Sequence, residues 1–404
     1  MSRGISGLAA EMIKSAMLPG ESLPVWLRRS ARWGQRLRDG KPPVGRSVVL
    51  VLGPGGLGDA LLLTGALRAL RRHFAPHPLW VLASPAARPL LLDCADRVIA
   101  LPSGRGRWAS LRRAMAMLAI FRASCRVLLH PVYSTVRLYH EIARVVESPE
   151  KVWFDGEPMA DDEIPAEDPR HFYTRIVAVD RNIHELDKLA AMLRNIGLEN
   201  VSCRRDIWPD IGLSEAEQRA ARDRIAEWRG ESEAFVLAVC PGGGFPAKDW
   251  GAERFADFLR LAAGHRPIVA FLAGGRQDRE RARRICGAAS SAAGLQVIDL
   301  TGRCSVRESV ALIGASDACV GNDTFGLHAA VAVGTPSVVM MGGGDFPRWA
   351  PWGDPARHVV LTNRLDCFGC RWRCRYGDFR CVRNVSAESV RNALHEVVGE
   401  GRGS

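Results

Sequence analysis

Short apolar runs alternate with longer amphipathic stretches along most of the chain. Ser47–Leu52, Leu79–Ala83, Arg97–Ala100 and Arg126–His130 read as strands, with helical stretches between the first of them. A second series follows at Phe235–Val239, Pro267–Leu272, Gln296–Leu300, Ala318–Val320 and Ser337–Met341. Apolar strands separated by helices indicate parallel sheets covered on both faces, so the fold class is α/β. Between the two series, Asp155–Arg170 is acidic and contains proline, and reads as a surface loop. Phe172–Ile196 reads as helical. Ser214 and Glu217 then stand at capping-box spacing before a helix that ends at Gly230. The chain therefore holds two strand–helix blocks, with the boundary between residues 175 and 232. It has no short-period repeat.

Composition changes this picture only at its edges. With 404 residues, 47% of them hydrophobic, the chain can fill two cores. It has no run of 18 apolar residues and no apolar leader with a cleavage site, so the expectation is a cytoplasmic protein. The net charge of +11 is concentrated in residues 1–46, where nine Lys or Arg face Glu11, Glu21 and Asp39. That basic extension, with Trp26 and Trp33 among its arginines, reads either as a peripheral contact with an anionic membrane or as a solvated arm. No nucleic-acid module is recognisable, so no nucleic-acid partner is expected. Only Lys14, Lys41, Lys151, Lys188 and Lys248 are lysines against 50 arginines. A Lys inside a glycine-rich motif then suggests a need for a compact ammonium.

Three stretches carry chemistry. In "SVVLVLGPGGLGDALLLTGALRALRR", Gly53 to Gly58 fit the G-x-G-x-x-G dinucleotide fingerprint. A nicotinamide site also needs an acid after the second strand, and that strand ends Ala83-Ser84-Pro85. The oxidoreductase reading is weakened accordingly. Asp59, just past the last glycine, reads as a helix-start acid or as a general base at the carboxyl end of a parallel strand. In "VLAVCPGGGFPAKDWGAERFADFLRLA", Gly242, Gly243 and Gly244 with Lys248 suit a phosphate, although the spacing is not that of a P-loop. In "DACVGNDTFGLHAAVAVGTPSVVMMGGG", Asp323 and Thr324 stand at a helix start, followed by Gly326. His328 falls one turn on, on the same face as Thr324. Together they suit a pyrophosphate. Trp250, Trp349 and Trp352 read as core residues, with lining the site as the alternative.

Taken together, these stretches resemble glycosyltransferase family 9, the ADP-heptose:lipopolysaccharide heptosyltransferases, over roughly residues 47 to 395. The resemblance implies a GT-B architecture, two Rossmann-like domains facing across a cleft. Its parts would be a basic extension (1–46), an acceptor-side domain (47–200), a nucleotide-sugar donor domain (201–365) and a cysteine-containing segment with a C-terminal helix (366–404). It implies an inverting, metal-independent transferase that moves a sugar, most simply heptose from ADP-heptose, to an anionic glycolipid acceptor of the lipopolysaccharide core or a related envelope glycan. The enzyme would need no cofactor and would work in the cytoplasm, on the inner face of the inner membrane. Asp59 matches the family's acceptor base. Lys248 matches its phosphate-neutralising lysine, and Asp323, Thr324, Gly326 and His328 its donor motif, with Gly242 and Gly243 in the facing loop. Asp278 falls where the family contacts the nucleoside. Phe325 replaces the usual Gly, and Gly251 the usual Pro. Arg105, Arg107, Arg137 and His140 are acceptor candidates by charge and position. A non-catalytic nucleotide-sugar-binding protein of the same fold is the alternative.

Cys367, Cys370, Cys374 and Cys381 form C-x2-C-x3-C-x6-C. This spacing permits a structural zinc site, disulfides or reduced thiols, and a cytoplasmic setting argues against stable disulfides. Many family members carry a similar cluster.

Overall fold

The computed structural model describes residues 47–53, 55–102, 107–135, 137–158, 168–203, 205–350 and 352–399. The basic segment 1–46, Arg105 and the middle of the acidic loop lie outside the described residues, as does the side chain of Arg107. The chain divides into two units. The first runs to Arg181 and includes Glu185–Ile211; the second comprises Asn182–His184 and everything from Gly212 onward.

The first unit contains β1 (Val48–Leu52), β2 (Leu79–Ala83), β3 (Arg97–Ala100), β4 (Cys125–His130), β5 (Ser134–Thr135), β6 (Glu150–Phe154), β7 (Glu157–Pro158) and β8 (Arg175–Val177). Six of these form one sheet in the order β3-β2-β1-β4-β6-β8, while β5 and β7 make a small separate pair. Every pairing in the large sheet is parallel. β1 is buried along its length, as a central parallel strand flanked by helices must be. Gly65 lets the helix Leu57–His73 approach the end of the unit closely. A Cβ there would lie 2.2 Å from the carbonyl oxygen of Ile207. The neighbouring Thr64 hydroxyl accepts from the Asp210 amide at 2.9 Å.

The stretch Phe172–Ile196 is not the continuous helix expected. Only Glu185–Asn195 is helical, and Arg175–Val177 is instead the sixth strand. The backbone explains the difference. The Thr174 amide donates to Lys151 O at 3.0 Å, and Val152 pairs with Arg175. The open edge of β6 captures a segment whose helical pattern is weak at its start.

The second unit contains β9 (Phe235–Cys240), β10 (Ile268–Leu272), β11 (Leu295–Asp299), β12 (Ala318–Asn322), β13 (Ser337–Met340) and β14 (His358–Leu361). Their order is β11-β10-β9-β12-β13-β14, again parallel throughout. The capping box at Ser214 and Glu217 is present, opening the helix Glu215–Arg229. Arg307 extends it by donating to both Glu217 oxygens, at 2.6 and 2.8 Å, and to Gly212 O at 2.9 Å. The Arg307 guanidinium holds the Glu217 carboxyl down at about 2. Trp250 is fully buried and donates through its indole N–H to Val385 O at 2.8 Å, tying the C-terminal segment to the core.

Both sheets thus share one strand order, with the reversal beside the first strand of each. In open α/β sheets the point where the strand order reverses, here between β1 and β4 and between β9 and β12, is the usual place for a ligand crevice.

Candidate active site

In the second unit, the reversal gathers the glycine loop after β9 and the Asn-Asp-Thr sequence at the end of β12. Asn322, fully buried, clamps the two. Its amide donates to Pro241 O at 2.8 Å and Gly242 O at 3.0 Å, and its oxygen accepts from the Trp250 amide at 3.3 Å. No motif in the sequence assigns Asn322 a role. Its signal was a lone carboxamide closing the strand Ala318–Asn322, where a buried polar group needs partners.

The clamp brings Lys248 to Asp323. Lys248 Nζ lies 2.7 Å from Asp323 Oδ2 and donates to Asp323 O at 3.2 Å. The carboxylate contact is an ion pair without hydrogen-bond alignment. The Asp323 side chain is 2% exposed and that of Lys248 16%, so the ammonium is the part of the pair that reaches solvent.

Thr324 precedes the helix Phe325–Val333 in extended conformation, and among the described residues no side chain caps that helix start. Phe325 is half-buried and has ordinary negative φ, so its backbone does not call for Gly. Gly251 has φ +111°, which proline cannot adopt, so Gly at this position goes with a backbone of its own. Gly326 is a packing requirement: a Cβ there would lie 2.3 Å from Cys240 Sγ.

His328 is buried one turn into this helix. Its Nδ1 accepts from the Trp352 indole N–H at 3.1 Å, which places the ring proton on Nε2. Burial first, then the nearby charges of His184 and Lys248, push His328 down to about 3, against the opposing pull of Asp323. At neutral pH it is an uncharged Nε2–H donor. The position of Trp352 makes it more than core filling, since it fixes the tautomer.

Asp278 is buried beneath the loops. Its carboxylate accepts from the Gly275 amide at 2.8 Å and from Arg281 at 3.2 Å, and Arg281 also donates to Asp249 at 2.9 Å. A Cβ on Gly242 would come within 3.1 Å of Asp278. A side chain at Gly242 would require the Asp278 carboxylate to shift by a few tenths of an ångström. Gly243 has more room, its nearest contact being Phe245 O at 3.3 Å.

In the first unit, Asp59 lies in the first turn of Leu57–His73, three residues past the cap position at Gly56. Ser84, at the position where a nicotinamide site would carry an acid, instead donates its hydroxyl to Gly55 O at 2.8 Å and braces the glycine turn. Burial, with the Asp59 charge second, pushes the Tyr139 hydroxyl up, placing Tyr139 near Asp59. His140 does not serve as a surface contact for an acceptor. It is buried, and its Nδ1 lies 3.1 Å from Tyr173 Oη, which also meets His130 Nδ1 at 2.8 Å. Arg137 lies 3.9 Å from the buried Glu141.

The four C-terminal cysteines are thiols lining one cavity of about 10 Å³ with Ala247, Gly343, Gly344 and Trp372. Burial first, and then the neighbouring cysteines, push the Cys370 thiol up. Among the described residues, no three or more His, Cys, Asp or Glu side chains stand arranged to hold a metal ion.

The buried imidazoles give a pH prediction. His328 (about 3) and His140 (about 4) have folded values below the unfolded value. The unfolded chain therefore binds protons first as pH falls. The stability they contribute is complete above pH ~7.5 and is lost on acidification from about 6.5 toward those folded values. Between pH 7.5 and 5 each histidine is expected to cost about 2 kcal/mol. Urea midpoints at both pH values check this, and His328→Gln should shrink the loss by about that amount.

Comparison with known proteins agrees with the geometry. The sequence model of glycosyltransferase family 9 (heptosyltransferase) matches residues 166–374. Lipopolysaccharide heptosyltransferase 2 of Salmonella typhimurium is 24% identical over 371 residues, covering 87% of this chain and 99% of that protein. The structure of ADP-heptose lps heptosyltransferase II from E. coli superposes with a TM-score of 0.63 at 18% identity, covering 88% of this chain and 100% of that one. A glycosyltransferase family 9 structure from Veillonella parvula gives a TM-score of 0.68 at 18% identity, covering 88% and 98%. The two Rossmann-like units and the family match lead to one assignment. The chain is a glycosyltransferase and belongs to family 9, the heptosyltransferase family.

Proposed function

We propose that the protein transfers a heptosyl group from ADP-heptose to a lipopolysaccharide-core or related envelope glycan, inverting the anomeric carbon without a metal ion. The observation that carries this reading is the convergence of Lys248, Asp323, Thr324 and His328 at the reversal point of the second sheet. The names of its relatives, which include lipopolysaccharide and ADP-heptose, support the choice of donor and acceptor.

The residues divide the work by chemistry. The acceptor hydroxyl gives its proton to Asp59 as its oxygen bonds to the anomeric carbon. The bond from that carbon to the diphosphate oxygen breaks, and ADP leaves with the electron pair. Negative charge growing on the diphosphate meets the Lys248 ammonium, the His328 Nε2–H and the start of the helix Phe325–Val333. Asp323 holds Lys248 in place, and Asn322 holds the glycine loop through Pro241 O and Gly242 O. Among the described residues no helix is long and apolar enough to cross a membrane. A cytoplasmic enzyme that meets its glycolipid at the membrane face through residues 1–46 fits this reading, and those residues lie outside the described ones.

Nucleotide selectivity tests the donor assignment. ADP at about 100 times its Kd should raise the melting temperature of the 404-residue chain by roughly 3 °C. UDP, GDP and NAD should have little effect at the same concentration. A shift with UDP or GDP alone would change the donor, and a shift with NAD alone would overturn the transferase site.

A further inference from the structure

We propose that Trp372, carried by the cysteine loop, is a positioning residue of the donor site and acts through Lys248. The inference rests on the reading of Lys248 as the donor-phosphate cation. Lys248 Nζ stands 5.1 Å from the centroid of the Trp372 ring. The ammonium is therefore held between the Asp323 carboxylate and carbonyl on one side and an aromatic face on the other. A lysine has four rotatable methylenes, and an ion pair without hydrogen-bond alignment leaves much of that freedom. The electron-rich face of an indole attracts the ammonium and removes conformers that swing away from the donor.

The loop is built to keep the ring there. The Trp372 indole N–H donates to Asp345 Oδ2 at 3.1 Å. Backbone bonds dock the loop onto the triple-glycine segment after β13, from Gly369 N to Gly343 O at 2.8 Å and from Arg371 N to Gly344 O at 2.9 Å. A Cβ on Gly344 would lie 2.3 Å from the Trp372 ring, so this glycine is the space the indole occupies. Arg371 and Trp372 have φ of +51° and +64°, a left-handed backbone uncommon for residues with a Cβ. Such a conformation persists where surrounding contacts impose it, and here it delivers the indole to Lys248. Ala247, next to Lys248 in the chain, lines the same cavity as the four thiols. The cysteine loop is thus a wall of the donor-side loop.

A double-mutant cycle on the full-length protein tests this, with ADP as the probe and isothermal titration as the readout. Trp372→Leu should weaken ADP binding about 2- to 30-fold, and Trp372→Phe, which keeps an aromatic face, should recover most of it. In a Lys248→Met background, Trp372→Leu should cause no further loss, because its partner is gone. Gly344→Ala, which pushes on the ring, should mimic Trp372→Leu and stands in for it if that variant does not fold. Equal losses from Trp372→Leu in both backgrounds would overturn the positioning role, as would a Phe variant as weak as Leu. If wild-type protein binds ADP and Lys248→Met does not weaken it, the reading of Lys248 fails, and this inference with it. Weakening by Lys248→Met with additive Trp372 effects would sink only the inference.

Discussion

Asp59→Asn is expected to lower sugar transfer by about 10²- to 10⁴-fold while ADP affinity stays within about twofold of wild type. The two readings of this residue make opposite predictions. As an acid in the first turn of Leu57–His73, it interacts with the helix dipole, a contribution of about 0.3–1 kcal/mol to stability and none to turnover. As the base that receives the acceptor proton, it contributes little to stability and most of the rate. Asn keeps the shape and polarity but cannot take the proton. Steady-state transfer with a purified acceptor, together with a melting curve, separates the two. Normal turnover with a lowered melting temperature would leave Asp59 as a helix-end residue only.

The second large effect is on Lys248, and it reaches both stability and chemistry. Lys248→Ala removes the ammonium 2.7 Å from a carboxylate whose side chain is only 2% exposed. Leaving that charge buried and unpaired costs about 3–5 kcal/mol. Losing a cation that stabilises the leaving diphosphate should also cut kcat by about 10²- to 10³-fold. The single variant alone would confuse the two effects. Lys248→Met with Asp323→Asn removes both charges and should regain most of the stability in a denaturant titration. Its transfer should remain as low as in the single variant. Recovery of transfer in the double variant would show that Lys248 serves the fold rather than the donor.

How much of this was legible in the sequence depended on what kind of force holds each part. The central strands were readable because parallel strands covered on both sides must be apolar throughout, as in Val48–Leu52 and Phe235–Cys240. The edges were not. β6 opens with Glu150 and Lys151, β8 has Arg175 and Ile176 in solvent, and β14 lies beyond the last glycine loop. Their strand character comes from a neighbour's open hydrogen bonds, which no local pattern records. Lys248, Asp323, Thr324 and His328 were readable as candidates because they stand beside glycines and a helix start in stretches that resemble the family's motifs. Their partners were not, because Asn322, Trp352 and Trp372 act across distances of 24 to 124 residues in the chain. The glycines divide in the same way. Gly242 and Gly326 were readable as donor-motif positions, but the side chains that lie against them, Asp278 and Cys240, were not.

The repeated strand order has a consequence for inheritance. The residues assigned to the donor, from Gly242 to Trp372, all fall within the second unit, while Asp59 belongs to the first. Each unit closes its own six-stranded sheet and leaves its loops on the carboxyl edge. A lineage can therefore vary the loops of one half under selection for a new acceptor while the other half goes on recognising the same nucleotide. Recombination at the crossover near residues 181 and 212 would pass on donor preference as a single block.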